Sequence, residues 1–206
     1  MRLRVILSLI TLSVMVLAVG SVGAETKPFK MTISGSSGFP LRMLESDEGQ
    51  MEEVGMGICG GHSNLGGGTY ICTTSGFWSR EYVGNDTARC PGGREFVRTY
   101  AESSHIVRFA NGEVLSMVPK FEPDYYNNYY CIYFCDPADQ DCPMMGFYGM
   151  DYRTWEIIGG SGPFQGATGE ASWEVRVDPV PYVGGDVQWA IHPSPFNGYI
   201  TLVKEE

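Results

Sequence analysis

The chain has 206 residues, a formal net charge of −10, 27 glycines and 12 prolines. This length corresponds to one domain with a core of its own. The acidic charge argues against nucleic-acid binding, because an acidic surface repels phosphate backbones.

The N-terminal residues 1–24 have the pattern of a secretory signal peptide. Two arginines precede an apolar run over 5–19, and Val22 and Ala24 are the small residues that precede a cleavage point. An uncleaved membrane anchor is the alternative, although a spanning helix needs about 20 apolar residues. We expect cleavage after Ala24, a secreted or periplasmic mature domain over 25–206, and no membrane span in that domain.

Short strands separated by glycine and proline follow in the mature chain. In chain order the predicted strands are 29–34, 69–73, 95–100, 105–110, 113–118, 152–158, 170–178, 186–192 and 199–203. Asn111-Gly112 predicts a type I′ hairpin turn. Strand 170–178 alternates strictly, with Trp173 on the apolar face and Glu174 on the charged one, which predicts deep burial of Trp173. Helix is expected only in the signal peptide, so the fold class is all-β, a sandwich or a barrel.

The segment 121–150 has an unusual composition, with six tyrosines, three cysteines and an acidic run. It separates the predicted hairpin from the next clear strand. We interpret it as a disulfide-bearing insertion that decorates one end of the domain.

A glycine-rich motif over 157–169 reads IIGGSGPFQGATG. Gly160 and its glycine neighbours permit a tight turn and a close backbone approach, and Phe164 can pack beneath that turn as an apolar plug. Neither a Walker lysine nor a βαβ unit accompanies the motif, which argues against a nucleotide site.

This motif resembles Gly-Gly-Thr-Gly-x-Phe-x-Gly-Ala-x-Gly, a pattern typical of the allene oxide cyclase and dirigent barrels and of uncharacterised secreted bacterial proteins. Ser161 replaces the usual Thr, and Pro163 replaces the usual Arg. The segments 27–30, 62–66 and 110–115 resemble further parts of the bacterial pattern. The resemblance implies a single antiparallel barrel of about eight strands. No catalytic residue of the plant enzymes matches a position in this chain.

The cysteines predict disulfides, since their number is even and the chain is expected to be exported. They are Cys59, Cys72, Cys90, Cys131, Cys135 and Cys142. Sequence alone leaves the connectivity open. We expect two or three bonds, with Cys135–Cys142 the first choice and Cys72–Cys90 a second. A zinc site is disfavoured, because CxxC pairs are absent and the histidines lie away from the cysteines.

Three aromatic residues, Tyr129, Tyr133 and Trp155, are the candidate ligand-binding residues. Tyrosine offers a broad apolar face with a polar tip, which suits a ligand groove. The alternative is that the tyrosines are strand residues that pack within the insertion.

Other polar clusters have simpler explanations. The acidic run 136–141 lacks the spacing of a calcium loop, so a solvated loop held by Cys135 and Cys142 is favoured. His62 and His105 could act as acid–base groups, but structural or surface roles are favoured. Residues 85–87 form a glycosylation sequon, which matters only in a eukaryotic host. We expect neither a cofactor nor a metal.

The sequence favours an exported, non-catalytic barrel that binds a small apolar molecule or a partner. One alternative is an isomerase or cyclase of the allene oxide cyclase kind, and another is a purely structural, envelope-associated protein. An open pocket would favour the first two functions, and a filled interior would favour the third.

Overall fold

The structure, a computed structural model, describes residues 23–45, 50–85, 87–120, 128–181 and 187–204. Most of the proposed signal peptide lies outside these residues. The described chain forms ten strands: β1 (Ala24–Glu45), β2 (Gln50–Ser63), β3 (Thr69–Asn85), β4 (Arg94–Phe109), β5 (Val114–Pro119), β6 (Asn128–Phe134), β7 (Phe147–Gly160), β8 (Thr168–Pro181), β9 (Val187–Ile191) and β10 (Ser194–Val203). A 3₁₀ turn, Gly162–Phe164, is the helical element among them.

These strands close a single antiparallel barrel, as predicted. The ring runs β1-β2-β3-β4-β5-β7-β8-β10 and returns to β1. Two positions in the wall each hold two strands placed end to end. Between β4 and β7, β5 occupies one half and β6 the other. Between β8 and β1, β10 and β9 divide the length in the same way.

The barrel therefore has two halves that share six long strands. We call them the β5 half, which β5 and β10 complete, and the β6 half, which β6 and β9 complete. β5 ends at Pro119 and β6 begins at Asn128, while β9 ends at Ile191 and β10 begins at Ser194, so these strand ends fall near the middle of the barrel. At the seam of the β5 half, β1 pairs with β10 from Ala24↔Val203 to Ile33↔Ser194.

The inner face of the β5 half is filled with apolar side chains. Its fully buried members include Phe29, Met31, Ile33, Leu115, Met117, Trp155, Ile157, Phe196 and Ile200. Trp173 is 6% exposed, and Ala171, Val175 and Val177 are also buried, whereas Glu174 is exposed. The predicted alternation of β8 and the burial of Trp173 are thus confirmed.

The glycine-rich motif closes one end of the β5 half. Gly159 and Gly162 have φ angles of 118° and 57°. A Cβ on Gly160 would lie 2.0 Å from the Val114 carbonyl oxygen, so the close approach needs glycine. Phe164 is 2% exposed and stacks on Phe109 at 5.2 Å, as expected of an apolar plug.

Three disulfides are present: Cys59–Cys72, Cys90–Cys131 and Cys135–Cys142. The Cys135–Cys142 prediction is confirmed. The Cys72–Cys90 prediction is wrong, because Cys72 lies directly opposite Cys59 in the β2–β3 register. That register could not be read from the sequence, since β2 is too rich in glycine to resemble a strand.

The segment 121–150 contributes more than decoration. Its strand β6 pairs with β4 on one side and β7 on the other, and so completes the wall. Residues 135–146 form the hairpin loop between β6 and β7, which the Cys135–Cys142 disulfide closes. Asn111-Gly112 makes a hairpin as predicted, but the Phe109 N–H bonds to the Glu113 carbonyl, so the turn has one residue more than a type I′ turn.

Candidate functional site

The middle of the barrel interior holds a histidine among aromatic rings. His105 is fully buried and lies 5.3 Å from the Trp155 ring and 6.2 Å from the Trp173 ring. Its Nδ1 hydrogen-bonds with the Thr74 hydroxyl at 2.6 Å. Burial, with a smaller contribution from the nearby Arg153 charge, lowers the pKa of His105 to about 3. The imidazole is therefore neutral at physiological pH, which supports the structural role favoured from sequence.

His105 also lies beside a disulfide. One imidazole nitrogen and the sulfurs of Cys59 and Cys72 are all within 4.8 Å of one another. The two sulfurs are bonded to each other, so neither is a thiolate that could ligate a metal.

The outer face of the β6 half carries a layer of tyrosines. The β6–β7 register places Tyr129 opposite Tyr152 and Tyr133 opposite Tyr148. The rings of the first pair are stacked at 4.3 Å, and those of the second at 5.1 Å. Opposed residues on one face of an antiparallel pair are neighbours, so period two creates both stacks.

The loop before β4 holds Tyr129 from the β4 side. Arg89 lies over the Tyr129 ring, 5.4 Å from its centroid, and pairs with Glu95 of β4 at 3.1 Å. Glu95 is 2% exposed, and the Cys90–Cys131 disulfide ties the same loop to β6. This loop therefore fixes the position of the stack.

An open groove of about 480 Å³ lies on the β8 side of the Tyr129–Tyr152 pair. Its lining includes Tyr129, Tyr152, Thr154, Ser172, Glu174 and Asn197. Ser172, Glu174 and Asn197 are exposed and come from β8 and β10. The groove lies near the middle of the barrel, where Ser194 begins β10. Its volume is within the range of small-molecule sites.

The groove tyrosines act as hydrogen-bond donors. Burial, together with the negative charge of Glu174, raises the pKa of Tyr152. Burial and Glu174 also raise the pKa of Tyr129. Both phenols remain protonated at neutral pH, and the Glu174 carboxylate accepts a hydrogen bond from Tyr152.

The candidate ligand residues occupy three different environments. Tyr129 lines the groove, Tyr133 belongs to the neighbouring stack, and Trp155 lies in the core with 0% exposure. Sequence reasoning missed Glu174 and Asn197. Both residues alternate with buried ones and so point outward from their strands. That pattern points to the groove only when the pairing of these strands with the tyrosine-bearing strands is known.

The acidic loop 136–141 is exposed. The Asp136 carboxylate accepts a bond from the Ala138 N–H, and the Asp139 carboxylate accepts one from the Asp141 N–H. Arg176 donates to the Asp141 carbonyl at 2.7 Å, which anchors the loop to β8. This arrangement is that of a solvated loop held by its disulfide.

Comparison with known proteins adds little to this geometry. No family model matches the chain, and no curated protein matches it. Among solved structures, a pterocarpan synthase dirigent protein matches at 12% identity over 90% of each chain, with a TM-score of 0.21. A TM-score this low does not establish a shared fold, so we assign the fold from the strand pairing alone. Among the described residues, no helix has the length and apolar character to cross a membrane.

Proposed function

We propose that this protein is an exported, non-catalytic barrel that binds a small molecule or a partner in the groove beside Tyr129 and Tyr152. The observation that carries the proposal is the position of the groove. It opens on the outer wall, whereas the described interior of the β5 half is filled by the side chains around Trp155 and His105.

Three features support this proposal. The resemblance of segment 157–169 to secreted barrels and the three disulfides suit an oxidising compartment. The groove has aromatic rings beside a few polar groups, a combination common in binding sites. Arg89 and a disulfide hold the aromatic stack in place. Ligand binding therefore costs little conformational entropy in these side chains.

Native mass spectrometry of the exported protein tests the proposal. We expect a co-purifying adduct that disappears in Tyr152→Ala. Tyr148→Ala is the matched control, because Tyr148 belongs to the neighbouring stack and does not line the groove. An adduct retained in Tyr152→Ala would place the ligand elsewhere, and a groove that takes no ligand would favour a purely structural barrel.

A further inference from the structure

We infer that the groove is a subsite for a neutral saccharide, whose ring packs on Tyr152 and whose hydroxyls bond to Glu174 and Asn197. This inference rests on the proposed function and adds the chemical class of the ligand.

Across the outer face of the barrel, Arg89, Tyr129 and Tyr152 lie in that order, and one face of the Tyr152 ring is left toward the groove. β6 lies between β4 and β7, and Arg89 approaches Tyr129 from the β4 side, where it pairs with Glu95. Tyr152 covers Tyr129 on the β7 side at 4.3 Å. The face of Tyr152 away from Tyr129 is therefore turned toward β8 and the groove. The C–H face of a sugar ring is weakly positive and packs well on the negative face of an aromatic ring.

The polar lining suits a ligand whose groups both donate and accept hydrogen bonds. The Glu174 carboxylate accepts, and the Asn197 amide both donates and accepts. The Thr154 and Ser172 hydroxyls bond to each other at 2.9 Å and form a polar patch in the lining. Sugar hydroxyls both donate and accept hydrogen bonds, so they match this mixture of groups.

Other small-ligand classes fit less well. A wholly apolar ligand would remove the Glu174 carboxylate and the Asn197 amide from water without replacing their hydrogen bonds, which is costly. An anion would be repelled by Glu174 and by the net charge of −10, and the lining residue Arg153 is already paired with Asp151 at 3.0 Å. A cation is the strongest competitor, but the Glu174 carboxylate already accepts a bond from Tyr152, and the Arg89 guanidinium lies over the same stack.

The size of the groove agrees with this class. A volume of about 480 Å³ is at the lower end of small-molecule sites, and its open outer side lets a chain continue beyond it. It thus suits one or two sugar rings of a longer polymer.

Isothermal titration calorimetry against maltohexaose, cellohexaose, xylohexaose and chitohexaose, each up to about 10 mM, tests the inference. We expect at least one of them to bind, with an affinity that changes little between low and high salt, because the ligand is uncharged. Tyr152→Ala should weaken that binding about tenfold or more, since it removes the aromatic platform.

Three control variants sharpen the result. Tyr152→Phe keeps the ring and should stay within about threefold of wild type. Glu174→Gln should weaken the saccharide about tenfold, because a charged acceptor becomes a neutral one. Tyr148→Ala should leave binding unchanged, and near-ultraviolet circular dichroism of each variant confirms that the barrel is intact.

The experiments distinguish an error in the ligand class from an error in the proposed binding function of the groove. If none of the four sugars binds, the inference is overturned. If 1-anilinonaphthalene or tetramethylammonium then binds in a Tyr152-dependent manner, the proposed function stands with an apolar or a cationic ligand. If no probe depends on Tyr152, both the inference and the proposed function fail.

Discussion

The two halves of the barrel share six strands but use different chemistry. The β5 half has a dense apolar interior, with Phe29, Trp155 and Phe196 fully buried, and a glycine turn plugged by Phe164. The described part of the β6 half has two disulfides, an inward ion pair between Arg153 and Asp151 at 3.0 Å, and tyrosine stacks on its outer face. The described part of the β6 half therefore adds cross-links and outer-face stacks to its buried side chains, which include Tyr130, Val175 and Val177.

The largest expected effect comes from the interior of the barrel. Trp173→Ala should lower the free energy of unfolding by about 3–5 kcal/mol, because it opens a cavity among His105, Trp155 and Phe196. Glu174→Ala, on the opposite face of β8, should change it by about 0.5 kcal/mol or less. Urea titrations of the two variants measure the contrast, and equal losses would contradict a half-buried strand.

Disulfide removal should be the next largest change, and it tests how the β6 half is held. Cys90 and Cys131 are 41 residues apart, whereas Cys135 and Cys142 are 7 apart. In the chain-entropy description, loss of the first bond costs about 4 kcal/mol and loss of the second about 2 kcal/mol. Urea titrations of the two double Cys→Ala variants should show this order, and the reverse order would mean that contacts other than chain entropy dominate.

The pH dependence of the free energy of unfolding should reveal the contribution of the buried His105. The unfolded chain takes up a proton on this imidazole below about pH 6.5, while the folded protein resists protonation until its pKa of about 3. Acidification therefore favours the unfolded state. Between pH 7.5 and pH 5 this one group should remove about 2 kcal/mol of stability.

His105→Gln is the matched variant for that measurement. Glutamine can keep a hydrogen bond to Thr74 but does not titrate. Urea unfolding of both proteins at the two pH values gives the difference that His105 causes, because the carboxylates are common to both. Identical losses in the two proteins would show that the imidazole is not buried.

The smallest expected effect is in the tyrosine layer. A double-mutant cycle between Tyr129→Ala and Tyr152→Ala should give a coupling of about 0.5–1 kcal/mol, as for other cross-strand aromatic pairs. Tyr152→Phe should preserve the coupling, since the ring is unchanged. A coupling near zero would mean that the rings do not stack in solution and that the β6 half depends on its disulfides.

The sequence predicted those parts of the fold where one face of a strand meets the core. The alternation around Trp173 placed β8 and its buried side correctly. The glycine-rich motif correctly indicated both the tight turn and the buried Phe164. In each case a local pattern reflects a local cause, either period-two burial or a backbone approach that only glycine permits.

Features that depend on pairing were beyond the sequence. β1 runs from Ala24 to Glu45, well past the predicted Ser34, because neighbouring strands extend a segment that glycine and proline make a poor strand former. β2 was missed for the same reason. The groove was found in part: Tyr129 was named, but Tyr152, Glu174 and Asn197 join it only through the register of four strands.

The seam between β1 and β10 has a consequence for the order of assembly. Thr26 and Thr201, which are 175 residues apart, share a hydrogen bond of 2.8 Å across it. During synthesis β1 emerges early, whereas the strand that covers its edge is made close to the end of the barrel sequence. Until then the nascent sheet presents open edges at which other chains can add, and contacts this distant in sequence form slowly. The barrel therefore closes only after its last strand has been made, and until then the open edge of β1 is exposed to aggregation.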